Sequence, residues 1–190
     1  MSEKSRSMKD KEDLLIEQLK SHVTIGAPSV SSECIAYPPV SDKELEDAER
    51  KIGFRLPSLL REIYLHVGDG GFGSWYGLLS LDTDRERDRW SMTHWYLAMR
   101  SMTQEDIDTH WADEAEVDTP GLWPEKLLTI CDWGCNISSS IDCSQPECPV
   151  YHQDNNINVH KFILESPSLW QWLTDWLDGM STSRDGSTGE

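Results

Sequence analysis

The stretch Ser41–Gly73 constrains the fold more than any other part of the chain. Ser41-Asp42-Lys43-Glu44 fits a capping box, in which the serine hydroxyl accepts the Glu44 amide and the Glu44 side chain returns to the serine amide. Leu45, Ala48, Glu49 and Ile52 then give a helix with one apolar stripe, stopped at Gly53. Pro57, after Leu56, opens a second helix at a position where its missing N–H costs little. Leu59, Leu60, Ile63, Tyr64 and Val67 form the apolar face of that helix. Gly68-Asp69-Gly70-Gly71-Phe72-Gly73 ends it in a tight turn dominated by glycine. These are folding devices, and they carry no chemistry of their own.

The rest of the chain reads outward from this block. Residues 1–9 look like a frayed lead-in, and Asp10–His22 carries Leu14, Leu15, Ile16 and Leu19 at helical spacing. Residues 24–40, with Gly26, Pro28, Pro38 and Pro39, read as a loop or linker with an extended piece. Trp75–Leu81 reads as a strand. Asp84–Met102 reads as a helix with Trp90, His94, Leu97 and Met99 among charges. Its Arg85, Arg87 and Arg89 alternate with Asp84, Glu86 and Asp88, which is the pattern of a solvated face. Residues 103–125 are acidic and irregular. Leu127–Cys131, Ile137–Cys143, Val150–Gln153 and Val159–Leu164 are short apolar runs separated by turns, expected as successive antiparallel strands. Ser166-Pro167 caps a last helix carrying Leu169, Trp170, Leu173, Trp176 and Leu177, closed by Gly179. Trp172 falls off that stripe, on a side open to exposure. Residues 180–190 form a small-polar tail expected to be disordered.

Helices, one strand, a helix, several strands and a closing helix predict an α+β fold: a single domain with a mostly antiparallel sheet packed by helices. The expected organisation is an N-terminal helix and linker flank over 1–40, a domain over 41–179 with an insertion at about 84–123, and a tail over 180–190.

Charge bears on function. The 190 residues hold 34 acidic and 17 basic side chains, a net of −17. Residues 1–100 hold 17 acidic and 14 basic ones, a net of −3, whereas residues 101–190 hold 17 acidic and three basic ones, a net of −14. This speaks against a nucleic-acid binder, which needs cations to displace counterions from phosphates, and against an anionic membrane surface. No stretch has the apolar length of a membrane span, and Met1–Asp13 has no apolar signal region. Five cysteines, an odd number, in such a chain suggest a reducing, cytoplasmic setting.

The run from Ser41 through Leu56-Pro57 to Tyr64 resembles the opening of the SUKH superfamily, which includes fungal cell-wall-assembly regulators and many bacterial immunity proteins. The likeness is carried by Glu49 near the end of the first helix, the link Ile52-Gly53-Phe54, Leu56-Pro57, the helix Leu59–Val67 and the glycine turn. Leu127–Asn136, Pro149–His152 and Ser166–Leu177 look like its later strands and closing helix. The resemblance implies binding without catalysis: an immunity protein that occludes a toxin, often a nuclease and therefore basic. The acidic second half would steer encounter with such a partner.

Two clusters could carry more. Cys131-x3-Cys135 and Cys143-x4-Cys148 could supply four thiolates to zinc, but the spacing lacks the usual two-residue gap, and buried thiols are the preferred reading. A disulfide formed in air among Cys131, Cys143 and Cys148 is a further alternative. The run Glu105, Asp106, Asp108, Asp113, Glu114, Glu116 and Asp118 lacks calcium-loop spacing. It is either a solvated loop or a patch facing the partner, with Trp111 as an aromatic anchor. The glycine turn lacks the order and the Lys-Ser/Thr of a phosphate loop. His94 beside Trp95 and His110 beside Trp111 form no recognisable triad, while His152 and His160 flank Asp154, Asn155 and Asn156 in a hairpin turn.

The expected function is therefore a cytoplasmic immunity protein without a cofactor, occluding a cognate toxin; the alternative is a regulatory scaffold that binds cellular proteins without inhibiting an enzyme.

Overall fold

A computed structural model describes residues 3–26, 34–73, 76–82, 90–106, 122–154 and 162–179. Its elements are α1 (Glu3–His22), β1 (Thr24–Ile25), β2 (Ile35–Ala36), α2 (Asp42–Ile52), α3 (Ser58–His66), α4 (Met92–Ser101), β3 (Leu127–Gly134), β4 (Ile137–Asp142), β5 (Val150–Asp154), β6 (Ile163–Ser166) and α5 (Leu169–Leu177). The strands β3, β4, β5 and β6 form an antiparallel sheet in chain order, and β1 pairs with β2 in parallel. The fold is α+β, as its sequence predicts.

The capping box forms as written. The Glu44 amide donates to Ser41 Oγ at 3.3 Å, and the Ser41 amide donates to Glu44 Oε2 at 2.8 Å. Gly53 closes α2 in the left-handed region at φ 85°, and its amide donates to the Glu49 carbonyl at 2.9 Å. Pro57 caps α3 just ahead of its first turn, where its carbonyl accepts the Arg61 amide at 3.0 Å. The turn that follows needs glycine at Gly70: φ is +74°, and a Cβ there would lie 2.5 Å from the Leu79 carbonyl oxygen.

One apolar core joins the elements. α2 contributes Leu45, Ala48 and Ile52; α3 contributes Leu60, Ile63 and Tyr64; the sheet contributes Leu128, Ile130, Ile141 and Val150. α1 adds Leu15, Ile16 and Leu19, so the first helix packs into the same core rather than standing apart from it.

Several expectations need correction. α1 begins at Glu3 and not at Asp10, because its polar first turns carry no apolar period to reveal them. The expected strand at Trp75–Leu81 is reduced to a single bridge between Leu78 and Cys131; Trp75 lies outside the described residues. α4 begins at Met92 with Ser91 as its cap, and Arg85, Arg87 and Arg89 lie outside the described residues. β6 begins at Ile163; residues 155–161 and 180–190 lie outside the description. The last helix is capped by Ser168, not by Ser166-Pro167. Ser166 stays in β6 opposite Val150, and a residue before proline is disfavoured from helical geometry. Trp172 is buried at 6 % exposure rather than open to solvent, and its indole N–H donates to Glu165 Oε1 at 2.8 Å. The helix is thus covered on a wider arc than its apolar spacing suggests.

Candidate functional site

The buried polar groups of the first half hold the fold together. The Glu49 side chain, on α2, is largely buried against α3. Its Oε1 accepts the Leu56 amide at 2.7 Å and its Oε2 accepts the Arg61 guanidinium. This explains the acidic residue ahead of Leu56-Pro57: it ties the link to the second helix. Asp69, only 1 % exposed, accepts the Leu81 amide at 2.7 Å, and its own amide donates to the Tyr37 carbonyl at 3.0 Å. Tyr64 donates its hydroxyl to the Leu79 carbonyl at 2.9 Å, and burial, with Asp69 nearby, pushes its phenol well above the usual range. Asp69 and Tyr64 are spent on backbone groups around the glycine turn.

The acidic run begins four residues beyond the end of α4. Glu105 and Asp106 are exposed. Asp106 Oδ2 accepts both the Thr103 hydroxyl at 2.6 Å and the Thr103 amide at 2.8 Å. Those hydrogen bonds hold its carboxyl below the usual carboxylate range. Asp108, Trp111, Asp113, Glu114, Glu116 and Asp118 lie outside the described residues, as does His110.

Sequence reasoning did not single out the outer face of α4. Met92, Thr93 and Tyr96 turn inward. His94 and Leu97 turn outward, and Trp90, just ahead of the Ser91 cap, joins them by stacking on His94; Trp90 is 46 % and Leu97 41 % exposed. The ring of Trp90 stacks on His94 with centroids 4.7 Å apart and meets Trp95 edge-on at 5.8 Å. Near the other end of the helix, Arg100 donates to the Trp123 carbonyl at 2.6 Å, beside the exposed Leu122. The signal was present as the spacing 90, 94, 97, but charges on both sides made it read as an ordinary solvated helix.

The four candidate zinc ligands do not converge. Cys131 is buried in β3 and Cys135 is exposed in the turn beyond it, while Cys143 and Cys148 flank the β4–β5 turn. Among the described residues no three or more His, Cys, Asp or Glu side chains group as metal ligands, and no disulfide joins the cysteines. Burial pushes the Cys148 thiol up to about 11 and the Cys143 thiol higher still, away from the thiolate that binds metal. Both line a 1060 Å³ groove with Glu12, Ser58 and Trp170, where burial also raises the Glu12 carboxyl. His152 packs edge-on to Trp133 at 6.2 Å, and His160, Asn155 and Asn156 lie outside the described residues. No described helix is long and apolar enough to cross a membrane.

A helical pair locked through Glu49, a glycine turn and a four-stranded antiparallel sheet closed by a tryptophan-rich helix define the class. The model of the SMI1 / KNR4 family (SUKH-1) matches residues 39–178, and the chain belongs to that family. Membership supports an immunity or regulator-like protein-binding module; proteins of this superfamily are generally non-enzymatic. Curated proteins yield no match to the chain.

Proposed function

We propose that the chain is a cytoplasmic immunity protein that binds a cognate bacterial toxin, basic and of nuclease type, and neutralises it by steric occlusion. The observation that carries this reading is the placement of charge. The family supplies a protein-binding scaffold, and within it residues 101–190 hold a net of −14 against −3 in residues 1–100. Such a half accelerates encounter with a cationic surface and disfavours acidic partners. In this reading residues 41–179 form the binding domain. The segment Glu105–Asp118, with Trp111, faces the toxin, and no chemical step or cofactor takes part.

Co-expression tests it. The chain is expressed in a host killed by the toxin encoded beside its gene. Survival supports immunity. Failure against every neighbouring toxin favours a regulatory scaffold that binds cellular proteins instead.

A further inference from the structure

We infer that the outer face of α4 is the apolar anchor of the interface, and that its occupant is a protein segment presenting apolar side chains flanked by basic groups. The inference rests on the binding reading above and names the surface that carries most of its affinity.

The inward face of α4, Met92, Thr93 and Tyr96, already docks the helix on the core, so folding does not require the outward row of Trp90, His94 and Leu97. Trp90 is held in place. Stacked on His94 and braced by Trp95, it loses little freedom on binding, which is how aromatic anchors become hot spots. Leu122, 55 % exposed, precedes Trp123, whose carbonyl accepts from Arg100 at the C-terminal end of α4.

Charge selects the occupant. Four residues beyond the end of the helix stand the exposed acids Glu105 and Asp106, and Thr103 donates two hydrogen bonds to Asp106. An exposed apolar row followed in the chain by exposed acids complements an apolar segment flanked by cations. A second copy of this chain brings another net −17, so self-association through this face works against charge repulsion.

The test selects binders to the full chain from a phage-displayed library of random dodecapeptides. Affinities of enriched peptides are then read by fluorescence anisotropy for the parent, Trp90→Ala, Leu97→Ser and the pair Glu105→Gln with Asp106→Asn. The expected peptides combine an aromatic or aliphatic residue with Lys or Arg. Trp90→Ala weakens them about thirtyfold, the loss typical of a hot-spot residue, and the acid pair reduces the salt dependence of binding. Because Trp90 and Leu97 are exposed, both variants should melt with the parent, and Leu97→Ser repeats the test should Trp90→Ala fail to fold. Peptides that bind both variants as tightly as the parent overturn the inference. So do a selection that enriches nothing, and a dimer of the parent that Leu97→Ser dissociates. Rescue by the doubly substituted Trp90→Ala/Leu97→Ser chain at parental level overturns the anchor and leaves immunity standing. Failure of the parent to rescue, with peptide binding intact, removes the immunity reading alone.

Discussion

Removing the Glu49 carboxylate tests the physical account of the Leu-Pro link. Glu49 and Arg61 have side chains only 12 % and 16 % exposed, and Glu49 also accepts the Leu56 amide. Glu49→Ala leaves that amide without its acceptor and a partly buried guanidinium without its counter-charge. A hydrogen bond to a charged group contributes about 1.5–3 kcal/mol, and breaking a fully buried pair costs about 3–5 kcal/mol. For this largely buried pair the expected loss is about 2–4 kcal/mol, which for a chain of this size lowers Tm by about 5–15 °C. Glu49→Gln keeps an oxygen for Leu56 and should lose about half as much. The control is Lys43→Ala, whose ion pair with Asp47 lies in open solvent and should leave the midpoint unchanged. The assay is urea unfolding followed by circular dichroism. If Glu49→Ala costs no more than Lys43→Ala, the link is held by apolar packing and Pro57 alone, and the role assigned to Glu49 is wrong.

Gly70→Ala should cost more than about 3 kcal/mol, read by thermal unfolding, because it adds a Cβ at positive φ against the Leu79 carbonyl; a near-neutral result refutes the turn geometry. With Ellman's reagent, Cys135 should react early, while Cys143 and Cys148 wait for denaturant because burial suppresses their thiolates; equal rates in the native state would contradict that burial. At Asp142 burial pushes the carboxyl up, but hydrogen bonds from Ser144 and Gln145 outweigh it and hold the group below the usual range. A lowered folded-state pKa stabilises above the unfolded value of about 3.9, and that stability is lost as pH falls through the folded value. The stability gap between parent and Asp142→Asn, measured by urea midpoints, should therefore narrow on acidification.

The devices that act over a few residues were legible before any coordinates. The Ser41 capping box, the Gly53 stop and the Pro57 start are local signals, and each forms. The antiparallel order of β3 to β6 was legible because short apolar runs alternate with turns. Contacts between distant segments were not. The parallel pairing of β1 with β2 joins residues too short in run to show a period. Trp172 looked open because spacing counts only apolar neighbours, whereas its N–H is satisfied by Glu165 from β6. Glu49 was visible as part of a pattern, but its bonds to Leu56 and Arg61 appear only once the link has folded. Of the acidic run, Glu105 and Asp106 fall among the described residues and are exposed. The Trp90–Leu97 row was overlooked because the charges flanking it made the segment read as a solvated helix.

The central claim is that an acidic half recruits a basic toxin, and the salt dependence of association tests it most directly. Association of the chain with the toxin encoded beside its gene is followed by stopped-flow fluorescence from low to high ionic strength. The account predicts a rate that falls steeply with salt, and a flattened dependence when Asp106, Asp108, Asp113 and Glu114 are replaced by Asn or Ser. A rate indifferent to salt, or one unchanged by those replacements, contradicts it.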